Sequence, residues 1–309
     1  MIVTLTINPA IDRNVTADRL VFEDRAYILS TGESAGGRGI NASRVIHSFG
    51  GKTLAIATSG GKSGKLFEEV LSKQGFPTEF VRIERELRTN LTITDRQGLT
   101  VKLNEAGPPI STKELQKVYK TVESRLSKAN WLMICGSIPP GVPAHFYNSL
   151  IDLAHRKKVP TLLDTDGDAL LHGIEAEPAV VTPNQQEAER LLNKALITRT
   201  QYLEAVERIH GMGAQSVILS LGSRGVVAKY KQNLLEVTPP RVDAVCPIGA
   251  GDAMAAAFVW ALEQKSDFAD AVRWGVAAGT ASAKLPGIGF ASLEQTKEVY
   301  AKVEVRPAG

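Results

Sequence analysis

From residue 112 onward, the apolar residues of this chain keep switching between two spacings. Over 112–128, Leu115, Val118, Tyr119, Val122 and Leu126 fall on one face of a helix. Trp131–Cys135 is then a short apolar run stopped by Gly136. Helical spacing returns over 144–158, and 159–164 and 179–182 read as buried strands. Residues 185–193 and 201–212 read as helices, Ser216–Ser220 as a strand, and 225–237 as a hairpin. Helices follow over 250–263 and 268–285, and a last one opens at Ser292 with Gln295 three residues on, the pattern of a capping box. Strands alternating with helices predict right-handed crossovers and a mostly parallel sheet with helices on both faces. The 309 residues show no internal repeat and no low-complexity tract. An α/β fold of this length runs as one unit, so a single domain over 1–309 is expected.

The first third departs from that rhythm. Residues 2–7 and 53–58 read as strands, and 39–49 and 64–74 as helices. Between and after them lie 27–30, 91–95 and 100–103, where Thr92, Thr94, Val101 and Leu103 alternate with residues of the other polarity, as half-exposed antiparallel strands do. These segments predict a small sheet from about 10–35 and 87–105 that projects from the main unit. Such a sheet could act as a lid that excludes water, or be no more than a structural hairpin.

Composition narrows the function. The net charge is +3, with no run of five like charges, which gives weak attraction to anions and does not by itself argue for nucleic acid. No apolar run approaches the ~20 residues that span a bilayer. The first residues lack a basic segment and meet Pro9 early, unlike a signal peptide. Two cysteines, Cys135 and Cys246, form no disulfide framework and suit a reducing cytoplasm. The five histidines show no metal-ligand spacing.

In an open parallel sheet, ligands bind beyond the carboxyl ends of the strands. Five strands here are followed by small, acidic or amide residues: Asn8-Pro9-Ala10-Ile11-Asp12, Gly136-Ser137, Asp164 with Asp166, Asn184, and Ser220-Leu221-Gly222-Ser223-Arg224-Gly225. Together they predict a polar cleft along one edge. The sharpest motif is Gly249-Ala250-Gly251-Asp252, which opens a helix. The glycines allow a sharp turn and close approach to a ligand, and the helix start offers free N–H groups to an anion. Asp252, in the first turn, could take a proton from an attacking hydroxyl, or could simply complement the helix dipole.

That motif, with Gly36-Gly37-Arg38-Gly39-Ile40-Asn41-Ala42 near the start, resembles the two signatures of the ribokinase-like, or PfkB, carbohydrate kinases. Asn8 to Asp12, Arg88-Thr89-Asn90, Gly136 to Gly141, Pro183 to Glu187 and Gly275 to Gly279 resemble the phosphofructokinase and tagatose-6-phosphate kinase branch, in the same order, from Thr4 to about Val303. Two positions depart from the pattern: Arg38 stands where the branch often has Lys, and Ala253 where a hydroxyl residue often follows the catalytic Asp.

The resemblance implies a cytoplasmic, ATP-dependent kinase acting on a hexose phosphate, first fructose 6-phosphate, with fructose 1-phosphate and tagatose 6-phosphate as alternatives. It implies that Asp252 is the catalytic base and that the backbone at Gly249, Ala250 and Gly251 stabilises the transferring phosphoryl group. Asp12, Gly37, Gly39, Asn41 and Ser137 would meet the sugar. Arg88, with Lys102 and Arg38, would clamp its phosphate. Asn184 and Glu187 would organise Mg2+, Glu187 through water. Ser220, Gly222 and Gly225 would line the ATP phosphates and ribose, and Ala278 would wall the adenine. A homodimer through the lid sheet is implied too, and a monovalent cation such as K+ is left open.

Three rivals are weaker. Gly37-Arg38-Gly39-Ile40-Asn41-Ala42 fits the dinucleotide fingerprint, but residues 53–67 contain no Asp or Glu to hold a ribose. Gly61-Lys62-Ser63 suggests a P-loop, but the glycine required upstream is Ile56. A non-catalytic sugar- or nucleotide-binding protein on the same fold would have little use for Asp252, Asn184 and Glu187 together.

Overall fold

β1 (Ile2–Thr6) is buried at every position, as a strand covered on both faces must be. The computed structural model describes residues 1–21 and 23–308. From β1 the chain leaves for β2 (Ala10–Ala17) and β3 (Ile28–Gly36), and returns through α1 (Arg38–Ser48), β4 (Thr53–Ser59), α2 (Gly61–Ser72) and β5 (Thr78–Arg82). It leaves again as β6 (Arg88–Asp95) and β7 (Thr100–Asn104). The alternating part then runs α3 (Thr112–Leu126), β8 (Trp131–Cys135), α4 (Phe146–Arg156), β9 (Thr161–Asp164), α5 (Gly167–Glu175), β10 (Val180–Val181), α6 (Gln185–Leu192), α7 (Arg199–Gly211) and β11 (Ser216–Ser220). The hairpin β12 (Val226–Tyr230) and β13 (Asn233–Thr238) follows, then α8 (Ala250–Glu263), α9 (Phe268–Ala283), α10 (Leu293–Tyr300) and β14 (Glu304–Pro307).

The large sheet has the order β14-β13-β12-β11-β10-β9-β8-β1-β4-β5. Pairing is parallel from β11 to β5 and antiparallel from β11 to β14. One face packs on α2 to α7, around Phe67, Val118, Tyr147, Leu170 and Val206. The other packs on α1, α8, α9 and α10, around Val45, Phe258, Val272 and Val299. α8 is built largely of alanine, and α9 lies tight against it: a Cβ on Gly275 would come within 2.8 Å of the Met254 carbonyl oxygen, and one on Gly279 within 2.8 Å of the Ala250 oxygen. Among the described residues, no helix is long and apolar enough to cross a membrane.

The smaller sheet has the order β3-β2-β6-β7. β2 and β6 pair in parallel, with β3 and β7 antiparallel at the edges. β2, α5, β5 and β14 carry no clear sequence signal. Cross-strand rows sort the smaller sheet's faces. Asp12, Asn90 and Asn104 form one row, and Asn14, Thr92 and Lys102 the next on the same side. The opposite side carries Val15, Leu91, Ile93, Val101 and Leu103, with Val101 37% and Leu103 55% exposed.

Candidate active site

The strands β1, β8, β9, β10 and β11 are neighbours in the large sheet, so their carboxyl ends line up. The polar segments that follow them therefore share one edge. Asn8 donates to Ser137 Oγ at 3.2 Å, and the Gly136 amide donates to the Asp164 carbonyl at 2.8 Å. Asn184 makes an isolated parallel bridge to Ser220.

α1 reaches this edge because its first turn can approach β1 closely. A Cβ on Gly39 would lie 2.6 Å from Thr6 Oγ1 and 3.0 Å from the Leu5 oxygen. Gly37 precedes the helix at φ +135°, which a residue with a side chain rarely adopts. The same turn presents Asn41, which is buried and donates from Nδ2 to Asp252 Oδ2 at 2.7 Å.

Asp252 lies in the first turn of α8, behind Gly249 at φ +81°. The ring of Phe290 packs against Gly249, with 3.0 Å to where a Cβ would stand. Gly251 has nothing within 4 Å of such a position, so the backbone there is open to a ligand. Burial, then the neighbouring Asp164 carboxylate, push the Asp252 carboxyl up to about 7, against the Asn41 hydrogen bond and the charge of Arg38. A carboxyl with a pKa near neutrality, in the first turn of a helix, suits a general base.

On the smaller sheet, Asp12 of β2 accepts from Asn90 Nδ2 at 2.8 Å. A Cβ on Gly36 would fall 2.1 Å from Asp12 Oδ2, so only glycine lets the carboxylate lie against β3. Burial raises the Asp12 pKa, opposed by Asn90, Arg88 and Arg44. Arg88 donates to the Asn8 carbonyl at 3.1 Å and the Glu105 carbonyl at 2.9 Å. Burial lowers its pKa, with Asp12 pulling the other way. Asn8 Oδ1, Asn90 Oδ1 and Arg88 Nε are buried without a hydrogen-bond partner in the protein. Two of these atoms, on Asn90 and Arg88, belong to residues that act on the Asp12 carboxylate, and orphaned polar atoms beside a carboxylate suit a polyhydroxyl ligand. Lys102 is exposed on the Asp12 face, one row farther out.

Arg38 is placed differently from the expectation that put it with the phosphate clamp. Its guanidinium donates to Asp164 Oδ1 at 2.8 Å, to Asp166 Oδ2 at 2.9 Å and to Glu187 Oε1 at 3.0 Å. Asp164 above all raises its pKa. A guanidinium held by three carboxylates is committed to them. Glu187 also accepts from the Asn184 amide at 2.9 Å, and Asn184 Oδ1 accepts from the Glu187 amide, a complete capping box. Burial raises the Glu187 pKa, and Arg38 opposes it.

Beyond Asp252 lies a cleft of about 1120 Å³, lined by Asn184, Ser220, Gly222, Gly225, Ala250 and Gly251 among others. Ala278 is not in its wall: it is 1% exposed and packs in the core. Val276, Gly279, Thr280 and Ala283 of the same helix line the cleft instead. So does the irregular stretch from Pro239 to Pro247, which lacks any periodic pattern that could have marked it.

A mostly parallel, helix-covered sheet with a polar edge and a smaller sheet beside it is the ribokinase-like architecture. Arabidopsis thaliana ribokinase shares it, with TM-score 0.78 over 97% of this chain and 98% of that one, at 17% identity. Residues 3–295 match the pfkB family carbohydrate kinases, and the chain belongs to that family. Phosphofructokinase-2 from Escherichia coli, in a tetrameric inhibited form, superposes with TM-score 0.91 at 30% identity, covering 97% of this chain and 98% of that one. The same enzyme has been solved in complex with potassium and with fructose-6-phosphate. A possible 1-phosphofructokinase from Thermotoga maritima superposes with TM-score 0.91 at 26% identity, over the full length of both chains. The chain is thus an ATP-dependent carbohydrate kinase.

Proposed function

We propose that this kinase phosphorylates a hydroxyl of a hexose phosphate, with fructose 6-phosphate as first choice. The observation that carries the reading is the position of Asp252, in the first turn of α8 behind Gly249, hydrogen-bonded to Asn41 and near enough to Asp12 for that carboxylate to help raise its pKa. In this reading Asp252 accepts the proton of the attacking alcohol, and Asn41 holds the carboxylate. The N–H groups from Gly249 to Gly251 stabilise charge on the transferring phosphoryl. Asp12, Gly37, Gly39, Asn41 and Ser137 receive the sugar, and Arg88 receives its phosphate, with Lys102 available from the outer row. The side of the cleft with Ser220, Gly222 and Gly225 receives ATP.

The nucleotide would bring Mg2+, which neutralises phosphate charge. Both Glu187 oxygens already accept hydrogen bonds, one from Arg38 and one from Asn184, so this carboxylate fits an indirect role through water. The potassium complex of the Escherichia coli enzyme leaves K+ as a second cofactor to test here.

The smaller sheet, 10–35 and 87–105, acts as a lid on a single domain in this reading. Its exposed apolar side supports a homodimer formed by packing two lids together, since an uncovered sheet face and edge invite pairing. Cys135 and Cys246 are both free, which supports a reducing compartment, the cytoplasm.

A coupled ADP-release assay over sugars and sugar phosphates tests the substrate. The expected order puts fructose 6-phosphate first in kcat/KM, ahead of fructose 1-phosphate and tagatose 6-phosphate. Preference for an unphosphorylated sugar would overturn the reading.

A further inference from the structure

Arg44 lies three residues after Asn41 in α1 and so shares its face of that helix. Burial lowers the pKa of its guanidinium, and Asp12 is the charge that opposes the shift. Among the described residues it forms no ion pair. Nη2 donates to the Ala35 carbonyl at 3.3 Å, and Nε is buried without a partner. The guanidinium carbon sits 5.5 Å from the centre of the Phe290 ring, within reach of a cation–π contact. A cation buried on such thin support costs stability, and an apolar side chain of similar length would cost less.

Both of its neighbours touch the site. Ala35 precedes Gly36, and Asp12 Oδ2 fills the space where a side chain on Gly36 would begin. Arg44 also joins Asn90 and Arg88 in holding the Asp12 pKa down against burial. Phe290 packs on Gly249, the turn that opens the helix of Asp252. Arg44 therefore stands between the strand end that backs Asp12 and the ring that backs the Gly249 turn. We propose that Arg44 is a positioning residue for phosphoryl transfer: it holds the end of β3 against the Asp12 carboxylate and the Phe290 ring against the Gly249 turn, so that the sugar and the transferring phosphoryl group keep a fixed spacing. The proposal rests on the roles given to Asp12 and Gly249 above.

The test is a double-mutant cycle on the full-length protein, with kcat, KM for both substrates and melting temperature measured for every variant. Arg44→Met keeps length and apolar bulk and removes the charge. It is expected to melt no lower than the parent, because a buried cation is lost. Its KM for the sugar phosphate should rise and its kcat fall, each by roughly tenfold, with KM for ATP little changed. Phe290→Leu should lower kcat by a similar factor and leave KM for the sugar phosphate near the parent value. Both substitutions break one contact, so kcat of the double variant should match that of Arg44→Met rather than the product of the two losses. Arg44→Lys returns a charge near Asp12 without the planar guanidinium, and should recover most of the loss in KM and little of the loss in kcat.

Losses in kcat that multiply in the double variant would overturn the proposal, as would parent-like kinetics in Arg44→Met. So would an Arg44→Met that melts well below the parent or does not fold, because the residue would then serve the fold alone. An Arg44→Lys no better than Arg44→Met in KM would remove the part played by charge at Asp12. The proposed function fails on a different result, a parent that prefers an unphosphorylated sugar. The same variants, assayed on that sugar, still decide whether Arg44 sets the spacing.

Discussion

The hydrogen bond from Asn41 to Asp252 should set the pH at which the enzyme switches on. Burial outweighs every other influence on Asp252 and raises its carboxyl to about 7, while Asn41 pulls the other way at 2.7 Å. A hydrogen bond to a charged group is worth about 1.5–3 kcal/mol. At about 1.36 kcal/mol per pKa unit, Asn41→Ala should raise the carboxyl by roughly one to two units. At pH 7 the ionised fraction would fall from about half to between a tenth and a hundredth, a loss of about five- to fifty-fold in rate. The assay is kcat/KM against pH, which reports the free enzyme, with the acid limb fitted for each protein. Asn41 is also expected to meet the sugar, so the variant's profile should be lower throughout. Height and limb position are separate readouts, and only the limb bears on the base. An acid limb that stayed in place, or moved to lower pH, would refute the assignment of Asp252 as a base tuned by Asn41.

Three further outcomes are expected. Because the folded chain holds the Asp252 proton more tightly than an ordinary carboxyl would, its contribution to stability is full below the ordinary value of 3.8 and is lost as pH rises through about 7. Asp252→Asn should therefore be inactive yet more stable than the parent at pH 8, by roughly 1–3 kcal/mol, with the difference vanishing near pH 4; calorimetry at both values checks it, and a less stable variant at pH 8 counts against the burial cost. Arg88→Ala should raise KM for the sugar phosphate by roughly ten- to a hundred-fold, the loss of one charged contact, with KM for ATP little changed; steady-state kinetics in both substrates decides it. Replacing Val101 and Leu103 by Lys should convert a dimer into monomers in size-exclusion chromatography with light scattering, and a parent that is already monomeric at micromolar concentration removes the lid dimer.

Where local chemistry repeats, the sequence was readable. α8 matches its expected bounds because a glycine turn starts it and an alanine-rich stretch sustains it. The Ser292 capping box is present as expected. Elsewhere the physics is not local. β2 hides behind Asn8-Pro9 and the polar run Asp12-Arg13-Asn14, because one of its faces serves the site and offers no apolar alternation. α5 begins at Gly167 with φ +58°, a position that reads as a turn. β5 and β14 are short strands toward the two edges of the large sheet, with mixed burial and weak patterns. Asp252 and Asn41 were identifiable as candidates, but the bond joining them spans 211 residues. The partners of Arg38 lie 126 to 149 residues away, so its commitment to acids appears only once the chain is folded. For Ala278, composition marks a helix packed tightly on its neighbour without saying which side faces the cleft.

Asp12 and Arg88 are rooted in the smaller sheet, and Asp252 in a helix on the larger one. On the roles proposed here, the alcohol and the base that deprotonates it hang from separate plates. Their alignment is then a matter of the angle between those plates, and a solitary water, having nothing to pull them together, would make a poor phosphate acceptor.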